Sequence, residues 1–154
     1  MISETFGGNM KKHLPSTSRS LPFALIRARE GVMGPIRDML AETGISEQQW
    51  RVLRILSECG PLDSSTLAER ASLLHPSLTR MVFAMDKKGL VTQKRSDTDR
   101  RRQVITIAPA GQDIIDSNYE HALRIVRDFK AKLGEDRYEQ LIDLLQMLDP
   151  HGDQ

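Results

Sequence analysis

A change in the spacing of apolar residues at Gly89 constrains this 154-residue chain more than any other feature. Before Gly89 the apolar residues recur every three or four positions, which is typical of amphipathic helices. After it, residues 90–95 and 102–108 are rich in β-branched side chains and flank the polar segment 96–99, a pattern that predicts a β-hairpin. One hairpin in an otherwise helical chain predicts a mainly α fold with a small β-wing.

The chain before the hairpin has the pattern of four helices, of which the first two have clear boundaries. The first is predicted over residues 21–43, with a kink or break at Gly34 and Pro35, because the proline ring removes a backbone donor and clashes with the preceding turn. Ser46 and Gln49 have the spacing of a capping box. The second helix is therefore expected to begin directly after Ser46.

Two shorter helices follow before Gly89. Asp63 is a good N-cap for the third helix, and Leu62 just before it is expected to pair in a small strand. Pro76 suits the first turn of the fourth helix. That helix has one apolar stripe, which predicts an inward-facing side and consists of Leu78, Met81, Val82 and Met85.

The segment after the hairpin predicts two further helices, the first of which opens at Pro109. Together with the first helix of the chain, they carry more apolar surface than one small helical core can cover, so we expect a two-fold dimer. Packing within a single chain is the alternative. The two apolar stripes consist of Ile115, Tyr119, Ala122, Val126, Phe129 and Leu133, and of Tyr138, Leu141, Leu145 and Leu148.

Positive charge is concentrated in one short segment. The whole chain has a net charge of +1, but residues 87–102 contain seven basic and two acidic residues, which gives this segment +5 and leaves −4 for the remainder. A local basic block on a mildly acidic chain is expected where one face meets a polyanion. A solvated charged loop is the alternative.

The order of these elements, two short helices followed by a basic hairpin, is typical of a winged helix-turn-helix. In such motifs the second helix presents its N-terminal residues to base edges in the major groove. The candidate DNA-binding residues here are Pro76, Ser77, Thr79 and Arg80, and Arg80 is the main candidate for specificity because its guanidinium can hydrogen-bond bases or phosphates. An ordinary solvated helix face is the alternative.

The tip of the hairpin crowds like charges together. Such a repulsive arrangement is explained if phosphates neutralise it on insertion into a minor groove. An ion pair between Asp99 and Arg101 is expected to hold the shape of the tip. The candidate DNA-binding residues of this region are Lys94, Arg95, Asp99, Arg100, Arg101 and Arg102.

Residues 78–112 resemble the recognition helix and wing of the multiple-antibiotic-resistance regulator (MarR) family, with the sequence LTRMVFAMDKKGLVTQKRSDTDRRRQVITIAPAGQ. Asp99, Arg101 and Gly111 occupy the positions of that family's wing signature, and residues 88–91 those of its helix-to-strand junction. The resemblance covers residues 21–148. Two segments, LIRARE and EQQWRVLRIL, most resemble the subgroup that regulates homoprotocatechuate degradation operons.

The resemblance implies a homodimer built from both terminal regions, which binds a pseudo-palindromic operator in double-stranded DNA and usually represses transcription. The implied organisation is an N-terminal arm, which we expect to be flexible (1–20), dimerisation helices (21–45 and 109–149), a winged helix-turn-helix lobe (46–108) and a tail (150–154). Two residues depart from the family pattern. Ala108 stands where a threonine is common before the last long helix, which predicts a weaker cap there, and His75 with Pro76 gives an unusual start to the recognition helix.

Members of the family commonly bind small aromatic acids between the dimerisation helices and the DNA-binding lobe. Arg29 lies between apolar positions of the first helix, and a buried guanidinium there needs an anionic partner. A ligand carboxylate is one candidate partner, with Trp50 as an apolar wall. An internal Glu or Asp is the other.

Composition argues against several other classes of protein. Cys59 is the only cysteine and ends an apolar helix face, where we interpret it as a small hydrophobe; a redox-responsive regulator is the alternative. The four histidines are scattered, so a metal-responsive regulator is a minor alternative and no cofactor is expected. The chain lacks a Gly-rich nucleotide-binding loop of the kind that would suggest an enzyme. A winged helix used only for protein contacts is the remaining alternative.

The chain has no run of about 20 apolar residues that a membrane span needs, and no apolar run near Met1 that suits a signal peptide. We therefore expect a cytoplasmic protein.

Overall fold

A computed structural model describes residues 13–152 of the chain. Within this range it has six α-helices and three strands, which confirms the predicted mainly α fold with a small β-wing. A short 3-10 helix, Thr17–Arg19, precedes them. The elements are α1 (Leu21–Leu40), α2 (Glu47–Cys59), β1 (Leu62–Asp63), α3 (Ser64–Ala71), α4 (His75–Lys87), β2 (Val91–Arg95), β3 (Gln103–Ile107), α5 (Pro109–Leu133) and α6 (Glu135–Gln146).

The chain divides into two compact units, Met1–Met33 and Gly34–Gln154, with the boundary inside α1. In the described part of the first unit, the Arg27 guanidinium donates to the Thr17 carbonyl at 3.1 Å and lies 5.7 Å from the centre of the Phe23 ring. The arm predicted over residues 1–20 thus includes a 3-10 helix. Its first twelve residues lie outside the described residues.

Of the kink or break predicted at Gly34 and Pro35, the break is wrong, because α1 is one helix with Pro35 inside it. The residues after the proline explain this continuity. Met39 and Leu40 are buried, and Ile36 packs against the same core. Burial of these side chains offsets the backbone hydrogen bond that proline cannot make.

Capping residues set the starts of α2 and α3 as the sequence predicts. The Ser46 hydroxyl accepts from the Gln49 backbone at 3.2 Å, and the Gln49 side chain accepts from the Ser46 backbone at 3.0 Å, which completes the capping box. Asp63 caps α3 by accepting from the Thr66 backbone at 2.8 Å. Each of these bonds satisfies a backbone donor that a helix start leaves open.

The three strands form one antiparallel sheet in the order β1-β3-β2. Ile105 of β3 pairs with Leu62 on one side and Gln93 on the other. The core of the second unit lies between this sheet and the helices. Its most deeply buried large side chains are Leu53, Leu56, Leu67, Leu78, Met85, Ile105, Val52, Val82 and Val91.

Helix α5 begins in close contact with Leu90, the residue directly before β2. The Ala108 backbone donates to the Leu90 carbonyl at 2.9 Å, and no side chain caps the helix, as the replacement of threonine by Ala108 predicts. A Cβ atom built on Gly111 overlaps the same Leu90 carbonyl. Glycine is therefore required at this position by the close approach of two backbone segments.

Candidate nucleic-acid interface

Helix α4 has one buried and one exposed side. Leu78, Val82 and Met85 are buried, with Met81 half-buried beside them, as the apolar stripe predicts. Pro76, Thr79 and Arg80 are exposed and Ser77 is half-buried. The four predicted recognition residues therefore share the first two turns of the helix, with three of them open to solvent.

The start of α4 is fixed by interactions of His75. Its Nε2 atom lies 3.2 Å from the Ser64 hydroxyl, and its carbonyl accepts from the Thr79 hydroxyl at 3.0 Å. No side chain caps this end, and Pro76 occupies the first turn. Because the Thr79 hydroxyl donates its hydrogen within the helix, its oxygen remains available to a DNA donor group.

The wing tip is a tight turn built around Asp99. The Ser96 backbone donates to the Arg102 carbonyl at 2.9 Å, and the Arg102 backbone donates to the Asp99 carbonyl at 3.0 Å. The Asp99 carboxylate accepts from the Arg101 backbone at 3.0 Å. These bonds shape the loop without using the Arg101 guanidinium.

The predicted ion pair between Asp99 and Arg101 is wrong, because Arg102 takes the place of Arg101. The Arg102 guanidinium lies 3.8 Å from the Asp99 carboxylate and 4.0 Å from that of Asp63. The turn directs the Arg101 backbone rather than its side chain toward Asp99. Arg102 thus joins the wing to the start of α3.

Asp63 links the helix cap to the wing and has an altered acidity. Backbone hydrogen bonding from Thr66 is the main cause that holds the pKa of Asp63 below its ordinary value, assisted by the Thr66 hydroxyl and by the positive charge of Arg102. Partial burial opposes this shift. The carboxylate is therefore ionised at neutral pH, where it caps α3 and attracts Arg102.

A cleft of about 290 Å³ lies between α4 and the wing. Ser64, His75 and Thr79 line one side, and Gln93 and Arg101 line the other. The four other basic candidates, Lys94, Arg95, Arg100 and Arg102, are all exposed on the same hairpin. The fold thus brings recognition-helix and wing residues to one surface.

Two residues of this region were missed by the sequence reasoning. Gln93 lines the cleft from β2, and Phe83 is 58% exposed on α4 with the Lys87 ammonium 4.5 Å from its ring centre. The position of Phe83 opposite the apolar stripe was a usable signal. No sequence signal marked Gln93, because the side of the sheet on which it lies depends on the register of the hairpin.

A second cavity, of about 240 Å³, adjoins Trp50 in the second unit. Trp50 is buried, and Arg54, one helical turn further along α2, is exposed at the same cavity. Tyr119 and Val126 of α5 contribute to the opposite wall. Arg54 and Tyr119 were not among the predicted effector residues, although the spacing between Trp50 and Arg54 was visible in the sequence.

Arg29 belongs to the first unit and is not buried. Its side chain is 49% exposed, and its guanidinium lies 3.9 Å from the Glu30 carboxylate. The condition that required a ligand anion, burial of this guanidinium in the chain, is therefore not met.

The interpretation of Cys59 as a small hydrophobe is wrong. Cys59 is exposed at the C-terminal end of α2, and the Arg70 guanidinium lies 3.1 Å from its sulfur. Between residues 13 and 152, no three His, Cys, Asp or Glu side chains are grouped as a metal site.

Comparison with known proteins identifies the family. The model of the MarR family matches residues 45–102. The HTH-type transcriptional regulator FarR of Neisseria gonorrhoeae is 34% identical over 137 residues, which cover 88% of this chain and 94% of that protein. The chain belongs to the MarR family. Its relatives in that family are transcriptional regulators, which places the chain among transcriptional regulators.

Other MarR-family relatives extend this comparison. The homoprotocatechuate degradative operon repressor of Escherichia coli is 34% identical over 127 residues, covering 82% of this chain and 86% of the repressor. This agrees with the subgroup that the sequence resembles. NadR, whose crystal structure was solved in complex with 4-hydroxyphenylacetate, is 33% identical in sequence to this chain. The two structures have a TM-score of 0.78 over 91% of this chain and 96% of NadR.

The repressor CouR bound to a 23-mer DNA duplex shares the fold of this MarR-family chain. It has a TM-score of 0.77, with 24% identity over 88% of this chain and 98% of CouR. No helix in the described part of the chain has the length and apolar character to span a membrane.

Proposed function

We propose that this chain is a homodimeric, sequence-specific DNA-binding repressor that a small aromatic carboxylate releases from a pseudo-palindromic operator. The observation that carries the proposal is the surface shared by the exposed start of α4 and the basic wing. Both elements have exposed residues, and both carry hydrogen-bond donors or positive charge. Such a surface fits the grooves and phosphates of duplex DNA.

The two parts of this surface have different tasks. We assign Arg80, with Ser77 and Thr79, to base edges when α4 enters a major groove, because these residues occupy the start of that helix. We assign Arg100 and Arg101, which are exposed on the wing, to phosphates or an adjacent minor groove. Arg102 is held between two carboxylates, so we assign it the task of orienting the wing.

A second copy of the chain supplies the two-fold symmetry. The described part of α6 has no buried residue, and Tyr119 and Val126 of α5 are also exposed. In the first unit, α1 independently exposes Phe23 and Ile26. Exposed apolar surface of this extent is expected at an obligate homodimer interface, and a dimer pairs two α4 helices with two half-sites.

The cavity beside Trp50 suits an aromatic acid. Trp50 offers an apolar wall, and the Arg54 guanidinium can bind a carboxylate with two hydrogen bonds. NadR, which is similar along most of its length, was crystallised with 4-hydroxyphenylacetate. A ligand that prefers the conformer with wrongly spaced α4 helices lowers operator affinity in proportion to that preference.

The salt dependence of duplex binding tests the DNA contacts. We expect the double variant Arg100→Ala and Arg101→Ala to weaken binding and to reduce the slope of log K against log salt by about 1 for each lost phosphate contact. Arg124→Ala, exposed on α5 opposite the apolar stripe of that helix, is the control and should leave the slope unchanged. Unchanged affinity in the wing variant would instead favour a winged helix that contacts only proteins.

A thermal-shift experiment with 4-hydroxyphenylacetate tests the effector site. At a ligand concentration of 100 Kd, stability should rise by about 2.7 kcal/mol, and the same ligand should release the duplex. Arg54→Gln should abolish the shift in melting temperature, whereas Arg29→Gln should leave it unchanged. The pair of variants thereby separates the two candidate arginines. If no aromatic acid raises the melting temperature, the effector assignment fails while the DNA-binding assignment stands.

A further inference from the structure

Phe83 stands at the centre of the exposed side of α4. Successive residues of an α-helix are rotated by about 100°, so Pro76, Arg80, Phe83 and Lys87 lie along one stripe. The buried residues of the helix occupy the opposite side. Phe83 is therefore the large apolar side chain that this helix directs away from the core, with 58% of its surface exposed.

Two cations flank Phe83 along the exposed stripe. The Lys87 ammonium lies 4.5 Å from the ring centre, a cation–π distance that draws the lysine toward the ring. Arg80 precedes Phe83 by one helical turn on the same exposed stripe. An exposed aromatic ring between two cations is suited to an apolar group within a polyanion, because the flanking charges meet phosphates while the ring makes a dry contact.

Among the base edges in a major groove, the C5-methyl of thymine is the apolar group, and phenylalanine is one of the side chains that contact it. Phe83 lies about 10 Å along the helix from Pro76, given a rise of about 1.5 Å per residue. A recognition helix that lies along a major groove, roughly 12 Å wide, keeps residues of one stripe facing the bases over that distance. Such a helix can therefore bring this ring to a base edge.

We propose that Phe83 is a specificity-determining residue that contacts the 5-methyl group of one thymine in each operator half-site. The inference rests on the proposed DNA-binding function and deepens it. Arg80 then selects by hydrogen bonding and Phe83 by apolar contact. Lys87 follows Phe83 by one turn and meets the adjacent phosphate.

The experiment first selects duplexes from a random-sequence library with the wild-type protein. Each thymine of the selected duplex is then replaced in turn by deoxyuridine, which removes only the methyl group. We expect one thymine in each half-site whose replacement weakens wild-type binding about fourfold, the effect of one buried methyl group. Phe83→Ala should weaken binding to the original duplex and show no further loss at that thymine.

Phe83→Leu is the matched control, because it keeps an apolar side chain and should retain part of the sensitivity to the methyl group. Phe83 is exposed, so both variants are expected to fold, and their melting temperatures check this. Equal sensitivity of wild type and Phe83→Ala to every replacement overturns the inference. Unchanged selection by Phe83→Ala, which is the outcome expected if the ring serves a protein partner, overturns it too.

The two levels of the proposal fail in different ways. If the wild-type protein selects no duplex at all, the proposed DNA-binding function fails and the assignment of Phe83 fails with it. If the wild type selects a sequence but its affinity does not depend on Phe83, only the assignment of Phe83 fails.

Discussion

Helices α4 and α6 carry apolar residues at similar spacing, but the chain buries the stripe of only one of them. Leu78, Val82 and Met85 of α4 are almost completely inaccessible to solvent. Leu141, Ile142, Leu144 and Leu145 of α6 are between 36% and 60% exposed. The same sequence pattern therefore belongs to the core in α4 and to an exposed apolar surface in α6, which a second copy of the chain can cover.

The largest effect is expected from charges placed on the exposed apolar surface of α6. Leu141→Glu with Leu145→Glu should weaken dimerisation by at least about 2–5 kcal/mol, because a symmetric dimer loses four leucines, each 38–42% exposed in the single chain, and complete burial of an exposed leucine contributes about 1.5–3 kcal/mol. Sedimentation equilibrium measures the dimer dissociation constant. The comparison variant is Leu78→Ala in α4, which should cost about 2–5 kcal/mol within each chain and leave the dimer contacts in place.

If the α6 double variant has the same oligomeric state as wild type, then α6 is not part of the dimer interface. The difference between the two helices would in that case need another explanation.

A smaller effect is expected where the completed core meets α5. Gly111→Ala places a methyl group against the Leu90 carbonyl and should lower the free energy of unfolding by about 1–3 kcal/mol, measured by urea denaturation. Gly31→Ala is the matched control, because its added Cβ meets no neighbouring atom within 4 Å in the described part of the chain and alanine favours a helix. A Gly111 variant as stable as wild type would contradict the close backbone approach.

The smallest effect is expected at Asp63, where two variants separate the contribution of its charge to stability from that of its capping hydrogen bond. Asp63→Ala should cost about 0.5–2 kcal/mol, whereas Asp63→Asn keeps a capping side chain and should cost less. Because the folded-state pKa of Asp63 is lowered, its stabilisation is present above the ordinary value of 3.8 and is lost as the pH falls through the folded-state pKa.

Urea denaturation across the acid range checks this assignment. The wild type should lose stability more steeply than Asp63→Asn as the pH falls below about 4. Parallel pH profiles for the two proteins would rule out a contribution of the ionised carboxylate.

Local patterns made much of this fold predictable. The capping box at Ser46, the cap at Asp63 and the apolar stripe of α4 each depend on residues within a few positions of one another, and all three are confirmed. The same locality explains the hairpin, in which a change of period signals the strands. The wing and the exposed start of α4 could therefore be found from the sequence.

Features that depend on distant contacts were not predictable. The pairing of Arg102 with Asp63 requires the register of β1 on β3, which no local pattern specifies. The exposure of Cys59 and the continuity of α1 through Pro35 likewise depend on which neighbouring surfaces pack together. Periodicity also predicts an apolar face without specifying its partner, which is why the stripes of α4 and α6 looked alike.

The stoichiometry of the complex tests the proposed dimer most directly, measured by native mass spectrometry with the duplex that the wild-type protein selects. We expect two chains bound to each duplex, because each half-site receives one α4 and one wing from a symmetric dimer. A complex with one chain per duplex would contradict the dimer. Failure to bind any duplex would contradict the assignment as a DNA-binding repressor.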